Sequence, residues 1–270
     1  MAIDPNRVVG YRLEATGSTD VGRKRQLNED VFLIDDDLGL YLVADGMGGH
    51  AAGEVASRLA ADEILNALGD HSNRNEETWP DHWDRDRSET ANNLIDAILS
   101  GHDRVTNAVS GNEDLKGMGT TVVAAMHPAA SRTLVICHVG DSRAYRWRHN
   151  RLETLTQDHS WVHEQVAAGF LTAEAARTHP LKNVVTQALG GSSQPRVDTL
   201  ETELRNGDVY VLCSDGLNSM LTDEEISEII AEDGSLEERT QRLIRAANER
   251  GGNDNVTVVL LRATQMTAEE

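Results

Sequence analysis

Lysine is scarce in this 270-residue chain, which has only Lys24, Lys116 and Lys182. Against 45 acidic residues, 25 lysines and arginines leave a formal net charge of −20. Such an excess argues against nucleic acid or an anionic membrane as a partner. Cysteine is equally rare: Cys137 and Cys213 each sit inside an apolar run. They read as small buried hydrophobes, not as an oxidised framework. No apolar stretch approaches membrane-spanning length, and no basic-then-apolar leader pattern opens the chain, so a cytoplasmic protein is expected. Internal repeats and a composition break marking a linker are also missing, which predicts one α+β domain over residues 1–270. The remaining composition, 39% hydrophobic and 26% charged, is that of an ordinary globular protein.

The stretch Leu40-Tyr41-Leu42-Val43-Ala44-Asp45-Gly46-Met47-Gly48-Gly49-His50 has the most to say. It reads as a strand buried on both faces (40–44), an aspartate at its end, a glycine-rich turn and a helix over Ala51–Leu68. Before it lie an edge strand over Val8–Thr16 and a strand at Val31–Ile34, with a hairpin turn at 35–39. After it come an irregular loop at 70–89 carrying Trp79 and Trp83, and a helix from Thr90 to Val109. Strands follow up to Met126, over Thr133–Val139 and over Ala144–Arg148, ending in a turn at His149-Asn150. Helical pieces at Trp161–Gly169 and Thr172–His179 precede strands at Val184–Leu189, Val197–Thr202 and Asp208–Ser214. Capping boxes open helices at Thr222–Glu232 and Ser235–Arg250, and Val256–Leu261 is the last strand. The pattern suggests largely antiparallel sheets with two pairs of helices.

Carboxylates recur where apolar runs begin or end. Asp45 follows 40–44, Asp141 follows 133–139, Asp215 follows 209–213, Asp254 precedes 256–261, and Glu29-Asp30 precede 31–34. Were these strands neighbours, five or six carboxylates would gather at one sheet edge. They would raise one another's pKa unless cations lay between them. An all-oxygen donor set, with no histidine or cysteine spacing, favours a hard ion such as Mg²⁺ or Mn²⁺.

With these residues in view, the sequence resembles the bacterial branch of the metal-dependent serine/threonine protein phosphatases of the PPM (PP2C) type. The matches run in order from residue 25 to 257: Arg25-Gln26-Leu27-Asn28-Glu29-Asp30, Asp45-Gly46-Met47-Gly48-Gly49-His50, Gly117-Met118-Gly119-Thr120-Thr121, Gly140-Asp141-Ser142-Arg143, Cys213-Ser214-Asp215-Gly216-Leu217 and Gly252-Asn253-Asp254-Asn255-Val256-Thr257. The resemblance implies a four-layer αββα sandwich, two antiparallel sheets flanked by helices, with a flap at about 158–190. It implies that Asp45 bridges two Mn²⁺ or Mg²⁺ ions, and that Asp215 and Asp254 complete the first ion's shell. The Gly46 carbonyl, with Glu29 through water, would serve the second ion, and Asp141 with Asp215 a third. Arg25 would hold the substrate phosphate, and His50 is a candidate substrate contact. The implied reaction is attack of a metal-bridged hydroxide on the phosphorus of phosphoserine or phosphothreonine, in line, with no protein nucleophile. The implied partners are phosphoproteins, including a cognate Ser/Thr kinase and its substrates, and the protein is expected to be a monomer.

Two positions depart from the family pattern. Met47 stands where animal members carry a histidine proposed as general acid, and Ser219 where many members have an aspartate near the third ion. A dinucleotide-binding fingerprint, Gly46-x-Gly48-x-x-Ala51, also fits locally, but its acidic partner would be Asp70, which follows a helix, not a strand. A catalytically idle phosphoprotein-binding relative would not need Asp45, Asp215 and Asp254, and all three are present.

Overall fold

A computed structural model describes residues 8–48, 52–71, 83–129 and 131–267. Two antiparallel sheets lie face to face. The first contains β1 (Val8–Asp20), β11 (Val256–Thr267), β10 (Val209–Cys213), β7 (Arg143–Arg148) and β8 (Arg151–Thr154), in that spatial order. The second runs β2 (Asp30–Asp35), β3 (Leu40–Met47), β5 (Val122–Met126), β6 (Thr133–Val139) and β9 (Asp198–Glu203), with the short β4 (Gly119–Thr120) also on β3.

The alternation of side chains along these strands builds three apolar layers. Tyr210 and Leu212 of β10 point between the sheets, where they meet Tyr41 and Val43 of β3 and Ile136 of β6. Val211 and Cys213 point the other way, onto α6 (Asp223–Ala231) and α7 (Leu236–Glu249) through Ile226, Ile230, Leu243 and Ile244. On the far side, Leu42 and Ala44 of β3 and Val135 and Cys137 of β6 pack on α1 (Ala52–His71) and α2 (Glu89–Gly111) through Ala56, Ala60, Ile64, Leu94 and Ile98. Strands buried on both faces have no polar phase, which is why they read as continuous apolar runs. The αββα sandwich is therefore observed, with both cysteines free and buried, as expected.

The helix starts follow their caps. Thr222 and Ser235 each accept the backbone N–H three residues on, and Glu225 and Glu238 reach back to the cap amide. The turn expected at His149-Asn150 is a two-residue hairpin with φ of 52° and 59°. Beyond it, the chain pairs again as β8, whose largely exposed residues carry no burial pattern to read.

Three expectations need correction. The strand ending at Ala44 continues through Asp45-Gly46-Met47, because β4 supplies partners for Gly46 (Thr120) and Met47 (Gly119). The expected strand Val184–Leu189 is not one: only single bridges, Ser160 to Val185 and Thr120 to Leu189, tie it to neighbours. β1 is an edge strand as expected but reaches Asp20, held along its length by β11. Of the loop at 70–89, residues 72–82, including Trp79, lie outside the described residues.

Candidate active site

The strand ends converge on an open cleft of about 300 Å³, lined by Arg25, Glu29, Asp45, Gly46, Met47, Gly48, Thr121, Asp141, Asp215 and Asp254 of the sandwich and by Asn183 and Val185 beside it. It holds every residue to which the resemblance gives a metal or phosphate role; His50 lies outside the described residues, and Ser219 lines the neighbouring cavity.

Backbone pairing fixes the centre. The Asp45 carbonyl accepts from the Thr121 amide (2.9 Å) and the Thr120 hydroxyl (2.9 Å), while the Asp45 amide donates to Thr121 Oγ1 (3.2 Å). Gly46 has to be glycine: a Cβ there would run into the backbone oxygens of Gly53 on α1 and of Glu29. That close approach lets the Gly46 amide donate to the Glu29 carbonyl at 3.1 Å, which ties the loop before β2 to β3. Asn255 ties the same loop to β11. Its Oδ1 accepts from the Glu29 amide (2.9 Å), and its Nδ2 donates to the carbonyls of Leu27 (2.9 Å) and Val21 (3.0 Å). On the other flank, Gly140 sits at φ 106° against Thr121, a bend that brings Asp141 round to the cleft.

Asp30, expected only as one of the run-end carboxylates and given no role, is a full member of the cluster. It stands opposite Asp45 in the β2–β3 register, is 6% exposed, and its Oδ2 accepts from the hydroxyls of Ser214 and Thr257, both at 2.7 Å. One buried carboxylate thus joins the starts of β2 and β11 to the end of β10. Its position in Glu29-Asp30, one residue out of phase with Glu29 at a strand start, was the available signal.

The electrostatics of this cluster are unfavourable without added positive charge. Burial first, and then repulsion from Asp30, Asp215, Asp141 and Asp254, holds the Asp45 carboxyl well above the usual range. Burial and then Asp215 push Asp141 up to about 8, and burial and then Asp254 push Asp215 up to about 6. Asp30 rises to about 7 through burial, although Thr257 and Ser214 pull the other way. Buried oxygens Glu29 Oε1 and Asp30 Oδ1 have no hydrogen-bond partner among the described residues. Unpartnered carboxylate oxygens, an all-oxygen donor set and excess negative charge suit hard divalent cations. Among the described residues lining the cleft the single cation is Arg25, which is half-exposed and donates to Asp254 Oδ2 at 2.7 Å, with Glu29 at 4.0 Å. Neither cysteine lines the cleft: both are fully buried, and burial pushes their thiols up to about 12.

Among the described residues, His138, His159 and Asp198 form a second ligand-like group, their donor atoms within 4.8 Å of one another. Hydrogen bonding already occupies it. The Gly140 amide donates to His159 Nδ1 (3.2 Å), leaving the proton on Nε2, which faces Asp198 Oδ2 at 3.3 Å. Asp198 also accepts from Arg196 at 2.7 Å, and His138 Nε2 meets the Gln157 carbonyl at 2.9 Å. This network fastens residue 159 to the loop before Asp141.

A two-sheet sandwich with a carboxylate-lined cleft at the sheet edges is the architecture of a metal-dependent phosphatase. The comparisons agree: the chain belongs to the Protein phosphatase 2C family, whose sequence pattern it matches over residues 20–260. It is 38% identical over 257 residues to "Serine/threonine phosphatase stp" of Listeria welshimeri, covering 94% of this chain and 97% of that protein. The structure of serine/threonine phosphatase Stp1 from Staphylococcus aureus superposes with a TM-score of 0.82 at 33% identity, covering 97% of this chain and 99% of the other. The catalytic domain of the serine/threonine protein phosphatase PstP, in complex with two manganese ions, gives a TM-score of 0.79 at 34% identity over 94% of this chain and 99% of that one. Among the described residues no helix is long and apolar enough to cross a membrane.

Proposed function

We propose that this chain is a metal-dependent protein serine/threonine phosphatase acting on phosphoserine and phosphothreonine in proteins, as a single domain over residues 1–270. The observation that carries this reading is the assembly of Arg25, Glu29, Asp45, Gly46, Asp141, Asp215 and Asp254 around one cleft. In it, Asp45, Asp215 and Asp254, with the Gly46 carbonyl and with Glu29 through water, would hold two Mn²⁺ or Mg²⁺ ions, and Asp141 with Asp215 would hold a third. When bound, such ions supply a water of lowered pKa and offset charge on a transferring phosphoryl group.

The chain's own residues bind and orient. Arg25, anchored by Asp254 at the mouth of the cleft, offers its guanidinium to the phosphate oxygens. Asp30, gripped by Ser214 and Thr257, keeps three strand ends in register beneath the cleft. Met47 lines the cleft but carries no exchangeable proton, so it does not protonate the leaving serine or threonine oxygen. We further infer a cytoplasmic monomer that opposes a Ser/Thr kinase, the last in keeping with relatives named serine/threonine phosphatases. The test is release of phosphate from p-nitrophenyl phosphate and from a phosphothreonine peptide. Mn²⁺-dependent turnover that stops in EDTA is expected, and undiminished turnover in excess EDTA would overturn the reading.

A further inference from the structure

A second cavity, of about 420 Å³, opens beside the cleft and shares Asp141, Asn183 and Asp215 with it. One wall is made by α3 (Trp161–Ala167) and α4 (Ala173–Arg177). The other is α5 (Asp215–Asn218) with the turn that leads from it into α6. Val162 and Val166, four residues apart, put one face of α3 on the cavity, and Ala173 and Ala176, three apart, do the same for α4. Met220 and Leu221 face them from the opposite wall. Neither α3 nor α4 has a single buried residue, so their apolar stripes are not used to fill a protein core. A stripe of helical periodicity left uncovered against a cavity is available to a ligand.

Charge narrows the ligand further. The lining carries Asp141, Asp158, Asp215 and Asp223 beside three cations, of which Arg143 is engaged by Asp158 through two bonds of 2.7 Å. Arg177 lies within electrostatic reach of Glu224. Lys182 makes no ion pair among the described residues, and it adjoins Asn183, which belongs to both cavities. In a chain with three lysines and a net charge of −20, a cation at this junction is conspicuous.

We propose that this second cavity is the subsite for the substrate chain beside the phosphoresidue. It takes an apolar side chain against Val162, Val166 and Met220, and an acidic side chain at Lys182. The inference rests on the phosphatase reading above. Because the two cavities share lining residues, the recognised positions fall within about three residues of the phosphoresidue, given the roughly 3.5 Å reach of each extended residue.

The experiment compares phosphothreonine peptides that differ only in their flanks, using the Mn²⁺-loaded full chain. One pair places Leu and Glu, or Gly and Lys, before the phosphothreonine, and a second pair places them after it. The readout is the ratio of kcat/KM within each pair, which is independent of the active fraction of any variant. A preference of about fivefold or more for the Leu/Glu peptide is expected on one side. Lys182→Glu should bring that ratio close to one, Lys182→Arg should retain it, and Val166→Asp should reduce it. Ratios near one on both sides, or a ratio that Lys182→Glu leaves unchanged, would overturn the subsite alone if wild-type protein still hydrolyses p-nitrophenyl phosphate. Failure to hydrolyse any of these substrates with Mn²⁺ would overturn the phosphatase reading and the subsite with it.

Discussion

The floor of the cleft and the segment beside it, residues 158–190, are built on opposite principles. The floor carboxylates stand in or next to the ends of paired strands, with backbone ladders and the Asp30 and Asn255 hydrogen bonds fixing their spacing. The flanking segment contributes no strand to either sheet, its two short helices bury nothing, and Phe170 is 78% exposed. It is fastened mainly at its base, where Arg143 grips Asp158 and His159 exchanges hydrogen bonds with Gly140. Chemistry that depends on sub-ångström placement belongs on the first kind of region, and recognition of variable partners on the second.

Substitutions should divide along this line. The largest effect is expected at the floor: Asp45→Ala should lower Mn²⁺-dependent kcat by about 100- to 1000-fold or more in a phosphopeptide assay. A near-wild-type rate would remove Asp45 from the site.

The next concerns charge. Asp45, Asp141 (about 8) and Asp215 (about 6) have folded-state pKa values raised above the 3.8 of an ordinary aspartate. Folding therefore favours their protonated forms. That stabilisation is complete below about pH 3.8 and is lost as pH rises through the folded values up to about 8. Bound cations remove the penalty, so the Tm gap between Mn²⁺-loaded and EDTA-treated protein should widen from pH 5 to pH 8, by about 5 °C or more. A gap independent of pH would break the link between the cluster and the metal.

A smaller effect is expected beneath the floor. Asp30→Ala leaves the buried hydroxyls of Ser214 and Thr257 short of a partner and should cost about 1–3 kcal/mol in denaturant unfolding. The smallest lies in the flanking segment, where Phe170→Ser should shift stability by no more than about 0.5 kcal/mol, since the ring is already in solvent. A large loss there would show that this segment is part of the core.

Legibility in the sequence followed the same division. Apolar strands covered on both faces, such as 133–139, were readable to the residue, and capping boxes marked α6 and α7. β8 was not, because Arg151–Thr154 is held by pairing to β7 and not by burial. Val184–Leu189 misled in the other direction: its composition is strand-like, yet Val184 is 43% exposed and only isolated bridges form. The carboxylates that line the cleft were visible at run ends and in the family motifs. What the sequence could not convey was the role of Asp30, which depends on two hydroxyls more than 180 residues away, or the second cavity, whose walls meet only in three dimensions.

The most direct measurement is a calorimetric titration of Mn²⁺ into EDTA-stripped, desalted protein, comparing wild type with Asp45→Ala. Two ions should bind each wild-type chain with high affinity, and that binding should be lost or greatly weakened in the variant. Equal binding by both proteins, or none by wild type, would contradict the assignment of this carboxylate cluster to a metal-dependent phosphatase site.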